Sequence, residues 1–287
     1  MKLSTAIARF DTQLRADGKS ERTRQAYLRD LRKLKGWLHR DASITSVTPD
    51  MLARFLVAQT ANGGKAPLSV NRTKTALRVF FRFLADASYI SENPARLIRS
   101  TPTDRPVPSY LSRHEAKRLL ATIAASNGRV ATRDHTMFSL LLGTGIRLGS
   151  LVGLNAGDVS LAECSVTIAA KGGREDTVFL NVQLCRLLAR HINAHASTDS
   201  APLFSSLRGS RLCARQVQLR LQHWLAAAGI TRQLSVHSLR HTFATRLYRQ
   251  TGDLRLVQRA LGHRHIATTE IYARVEDKAL RTAIASM

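Results

Sequence analysis

Apolar residues recur every three or four positions through most of this chain, with polar turns between the runs. That spacing is the signature of helices that bury one face. The first run covers about Leu3 to Leu14. Thr23 is placed to cap a second helix, whose apolar positions Tyr27, Leu31, Leu34 and Leu38 are surrounded by Arg24, Arg29, Arg32, Lys33 and Lys35. Thr48-Pro49-Asp50 starts a third, Met51 to Gln59, with proline at the first helical position, and Asn62-Gly63-Gly64 stops it. From Ser69 to Asp86 a longer helix turns Ala76, Leu77, Phe80, Phe81 and Leu84 inward and Arg72, Lys74, Arg78 and Arg82 outward. A four-helix bundle over residues 1–99 is expected.

Residues 100–110 hold three of the seven prolines and no periodicity, the composition of a linker. Leu111-Ser112-Arg113-His114-Glu115 then reads as a capping box preceded by an apolar residue, opening a helix through Ile123 and a second domain, 111–287. Thr136 to Leu142 is an apolar helix ending at Gly143-Thr144-Gly145. Val166-Thr167-Ile168 and Thr177-Val178-Phe179-Leu180 flank Lys171-Gly172-Gly173-Arg174 as a β-hairpin, the one convincing β signal. Helices follow at 182–194 and 214–228, with a short one in the tail 275–287. The expected fold is mainly α with one small β element.

Charge sharpens this picture. Lys plus Arg number 44 against 20 Asp plus Glu, a formal net charge of +24. Of these, 19 basic and 8 acidic residues lie in 1–100. The excess is thus spread over both halves, as expected if both embrace a polyanion. Helices with a basic face and few acids match the DNA major groove, so Arg24, Lys35, Arg72, Lys74, Arg78 and Arg82 are candidate phosphate contacts. Cys164, Cys185 and Cys213 are too few and too scattered for a zinc ribbon or a disulfide framework. The N-terminus breaks its apolar run with charge too early for a signal peptide, and no stretch reaches the ~20 apolar residues that span a bilayer. A cytoplasmic protein without a membrane partner is expected.

Candidate chemistry is concentrated in 234–274. His237 and Arg240, three apart on one helix, form a plausible phosphate clamp, because a guanidinium fork matches two phosphate oxygens. Gly262 reads as a helix stop that delivers His263. Tyr272 offers a phenol, a poor nucleophile unless a base or cations activate it. Tyr27, Tyr89, Tyr110 and Tyr248 lack such surroundings. His241 lies four from His237, but Ser238 stands where a zincin carries Glu, so no metal is expected. Gly143-x-Gly145-x-x-x-Gly149 has the wrong spacing for a dinucleotide loop.

In this order and spacing, His237-x-x-Arg240, Leu261-Gly262-His263 and Tyr272 resemble the core of the tyrosine recombinase, or phage integrase, family, especially its Xer-like bacterial members. Thr144-Gly145-Ile146-Arg147 resembles the family's upstream arginine turn, and Lys171 its hairpin lysine. The resemblance implies a site-specific recombinase that clamps DNA between two domains and cuts through a 3′-phosphotyrosyl intermediate. It implies Tyr272 as nucleophile, Arg147 and Arg240 as phosphate clamp, His263 as a further donor, Lys171 as general acid and His237 as assistant to proton removal, with His241 supporting from behind. It further implies no cofactor, a specific duplex site, and a tetramer on paired sites, whose tails pack against neighbours. One position departs: Ser150 stands where the family usually carries an acid three residues beyond the arginine. A type IB topoisomerase-like enzyme, and a weakened relative that only binds DNA, are the alternatives.

Overall fold

The computed structural model describes residues 1–39, 41–61, 67–102, 109–169, 175–195, 198–262 and 284. It divides into two compact units, Met1–Arg105 and Pro106–Met287.

The first unit contains α1 (Leu3–Ala16), α2 (Glu21–Trp37), α3 (Pro49–Ala61) and α4 (Pro67–Asp86). Leu3, Phe10, Leu31, Leu52, Phe55, Phe80, Phe81 and Leu84 close its core, all but excluded from solvent. Phe10 meets Phe80 edge-on, ring centroids 5.3 Å apart, a geometry favoured by the ring quadrupole. Two local readings need correction. The cap of α2 is Ser20, whose hydroxyl accepts from the Thr23 amide, so Thr23 lies one turn inside the helix. Ser100 and Thr101, expected to begin the linker, are fastened to α4: Thr101 exchanges hydrogen bonds with the Asn71 side chain and accepts from Lys74. Ser100 accepts from Arg78.

The second unit opens with the expected capping box at Ser112 and Glu115, leading into α5 (Arg113–Ala125). Leu111, the residue before the cap, is buried, and its amide donates to the Thr242 hydroxyl at 2.9 Å. Helix α6 (Arg129–Thr144) starts earlier than its apolar pattern indicates and is the spine of this unit, packing against α5, α8 and α10. Its buried face carries an acid, Asp134, which accepts from Arg133, from Arg220 at 2.6 Å and from the Trp224 indole at 2.8 Å. A buried carboxylate is tolerable only when its lone pairs are filled in this way.

After α7 (Leu148–Gly153) come β1 (Val159–Ser160), β2 (Ser165–Ala169) and β3 (Glu175–Phe179), an antiparallel sheet in that order. The hairpin is where the sequence places it, with Ser165 opposite Phe179 and Ala169 opposite Glu175. Strand β1 is an addition, too short at two residues to leave an alternating pattern. Helices α8 (Val182–His195), α9 (Ala214–Ala227), α10 (Val236–Thr251) and α11 (Leu254–Leu261) complete the described part. No helix among the described residues is long and apolar enough to cross a membrane.

Candidate active site

Three segments distant in sequence meet at one place: the turn after α6, the first turns of α10, and the end of α11. The turn exists because Gly145 caps α6 at φ +64, a conformation that disfavours any side chain. There is no room for one either, since a Cβ at this position would stand 2.4 Å from Cδ1 of Phe243. The chain then buries Ile146 and turns Arg147 outward as the residue preceding α7. Gly262 stops α11 in the same left-handed way, φ +58.

Arg240 ties these pieces together. It is 3% exposed, and its Nη1 donates to the Gly145 carbonyl at 2.6 Å and its Nη2 to the Leu261 carbonyl at 2.5 Å. Arg147 approaches the same end of α11 from the surface, its Nη2 donating to the Gly262 carbonyl at 3.2 Å. Both guanidinium groups therefore converge on consecutive carbonyls, at the point where the chain leaves for His263.

His237 lies at the rim, one helical turn from Arg240. Its imidazole pKa is pushed below the ordinary value, chiefly by partial loss of solvent around the ring and then by the positive charges of Arg240 and Arg147. These influences keep the imidazole neutral with a free lone pair, and the same two cations weaken it as a base. His241 meets it edge-on, ring centroids 4.5 Å apart. Ser150 is half-buried on α7, one turn beyond Arg147. Lys171, His263 and Tyr272 lie outside the described residues. Among the described residues no group of three or more His, Cys, Asp or Glu side chains is arranged to hold a metal.

The candidate DNA contacts divide. Arg24 falls on the apolar face of α2, four before Leu28, and is buried between Asp11 and Glu21. Its hydrogen bonds hold the Asp11 carboxyl below its usual range. The reading of Arg24 as a DNA contact is corrected by this inward placement. Arg72 braces the fully buried Asp30 with two hydrogen bonds, and Lys74 and Arg78 hold the 98–101 segment. Lys35 sits 3.8 Å from Asp41. Only Arg82 of the six is exposed; the others are buried or half-buried.

Sequence reading passed over one set. Arg215, Gln218 and Gln222 of α9 line a groove together with Gln233, His237 and His241. These residues recur at three and four along one helix face, next to an exposed Leu219, a signal that could have been weighed.

The phage integrase family model matches residues 109–279, and its N-terminal SAM-like domain matches residues 7–88. The chain belongs to the phage integrase family. Tyrosine recombinase XerC of Thermodesulfovibrio yellowstonii is 31% identical to this integrase over 271 residues, covering 92% of this chain and 89% of that one. Among solved structures, the XerH site-specific recombinase bound to a palindromic difH substrate superposes with TM-score 0.75 at 23% identity, covering 91% of this chain and 78% of that one. A lambda integrase tetramer bound to a Holliday junction superposes with TM-score 0.74 at 19% identity, covering 92% and 78%. The integrase is a tyrosine-type site-specific DNA recombinase, an enzyme of strand cleavage and rejoining.

Proposed function

We propose that this recombinase cuts each strand of a specific duplex site with Tyr272 and rejoins it to a partner strand, four protomers acting on two paired sites. The observation that carries the reading is the convergence of Arg147 and Arg240 on the Leu261 and Gly262 carbonyls. It puts two cations where the chain enters the segment bearing His263 and Tyr272.

Cleaving a phosphodiester requires charge neutralisation on its non-bridging oxygens, an in-line nucleophile and a proton for the leaving oxygen. Arg147 and Arg240 clamp the phosphate, and His263 donates to it. The Tyr272 phenol loses its proton with help from His237 and attacks phosphorus. The bond from phosphorus to the 5′ oxygen breaks, and Lys171 protonates that oxygen. A 3′-phosphotyrosyl ester and a 5′ hydroxyl result. The 5′ hydroxyl of the partner strand then attacks the ester and releases the phenol, so the bond energy is conserved and no nucleotide cofactor is consumed. Lys171 belongs to the hairpin whose β3 carries Asp176 beside Gly262, which supports its delivery to this site.

Duplex DNA lies along the α9 groove of the second unit, and exposed basic residues of the first unit such as Arg82 take phosphates as well, in the cytoplasm where chromosomal DNA is found. A duplex nicked near the scissile phosphate tests the chemistry. The wild type becomes covalently attached, and Tyr272→Phe abolishes the adduct while retaining DNA binding; an undiminished adduct in that variant refutes the assignment. Joining of two sites, rather than relaxation of one supercoiled circle, separates recombination from topoisomerase-like activity.

A further inference from the structure

The turn between β1 and β2 brings together two thiols that lie far apart in sequence. Cys164 ends that turn at φ +46, the left-handed region that favours glycine, so its side chain is carried against the backbone preference. Its Sγ donates back to the Leu161 carbonyl at 3.8 Å, and Cys185, in the first turn of α8, donates to the same oxygen at 3.5 Å. One oxygen therefore holds both sulfurs. Cys185 is buried, and Cys164 packs half-buried against the same core. The two groups feel each other: the Cys185 thiol is held above its ordinary pKa first by the Cys164 thiol, then by burial. Cys213 stands apart, exposed at the start of α9.

We infer that Cys164 and Cys185 are a reversible oxidation site, a thiol pair that the fold poises to form a disulfide with each other. Cys164 is the half-exposed partner, so its thiolate attacks one sulfur of a small-molecule disulfide; that S–S bond breaks and a first small thiolate leaves. Cys185 gives its proton to solvent and attacks the Cys164 sulfur of the mixed disulfide, expelling the second small thiolate. Two protein thiols are oxidised, and one disulfide is reduced to two thiols. Rotation of the Cys164 side chain on its exposed turn supplies the approach to the ~2.05 Å of an S–S bond. The ring so closed runs from 164 to 185 and contains β2, β3 and Lys171, so oxidation staples the base of the hairpin. None of this requires Tyr272 or strand cleavage.

The test uses the full chain carrying Cys213→Ser, which keeps a side-chain acceptor at the start of α9 and leaves two cysteines. The chain is equilibrated with a series of reduced to oxidised glutathione ratios, with and without denaturing urea. Products are read by mass and by non-reducing peptide map. The folded chain forms a 164–185 crosslink, about 2 Da lighter than the dithiol, at an effective concentration at least about tenfold above that in urea. By linkage the crosslinked chain then melts above the reduced one. Cys185→Ala in the same background instead retains glutathione on Cys164. A smaller margin over urea overturns the inference, as does glutathione left on Cys164 while Cys185 stays free. So does a crosslinked chain that melts no higher than the dithiol.

Discussion

The two arginines proposed to clamp the phosphate differ in what else they do, and substitution separates the roles. Arg240 is buried and donates to the carbonyls of Gly145 and Leu261, so Arg240→Ala leaves both oxygens without that donor inside the protein. Hydrogen bonds to a charged group contribute ~1.5–3 kcal/mol each, for a combined loss of about 3–6 kcal/mol. Against a typical domain stability of ~5–15 kcal/mol that is a large fraction. In a unit of this size it corresponds to a fall in Tm of roughly 6–24 °C. Arg147 is exposed, and its bond to the Gly262 carbonyl is 3.2 Å long, so Arg147→Ala costs about 1 kcal/mol or less. Both variants lose cleavage; only Arg240→Ala loses substantial stability. The chain has two tryptophans, Trp37 in the first unit and Trp224 in the second, so a Trp37→Phe background leaves Trp224 fluorescence as reporter of the second unit. Equal melting of the two arginine variants, or an Arg240→Ala protein as stable as its parent, would refute the claim that Arg240 is structural as well as catalytic.

Other expectations follow from the same contacts. His135, His191 and His237 all have pKa values lowered, chiefly by desolvation, so below the ordinary imidazole pKa of ~6.5 the unfolded chain takes up more protons than the folded one. Stability therefore falls as pH drops from 7 toward 5, and a Tm flat across that window would count against these burials. Asp134→Ala removes the acceptor that joins α6 to α9 through Arg220 and Trp224, and should lower stability by ~3–5 kcal/mol in urea unfolding. A loss below the error of the urea fit would show that the network is dispensable. Arg24→Ala should destabilise the first unit with no specific defect in phosphate contact, whereas Arg82→Ala should weaken DNA binding and flatten its salt dependence without moving Tm; the reverse pattern would exchange their roles.

Helix identity, the capping box at Ser112, the glycine stop at Gly262 and the hairpin around 166–180 were legible in the sequence alone, because each depends on residues within a few positions of one another. The order of His237, Arg240, Gly262, His263 and Tyr272 likewise carried the family's chemistry without a fold. What the tertiary structure alone decided are the partners. Arg24 and Arg72 look like surface bases until Asp11 and Asp30 arrive from other helices. Arg240 looks like a free clamp until the carbonyl of Gly145, 95 residues away, accepts a hydrogen bond from it. Asp176 is one acid in a polar hairpin until α11 brings Gly262 against it. Local pattern sets which face of a helix is apolar, but the packing of distant segments chooses which charges that face must accommodate and which carbonyls they satisfy.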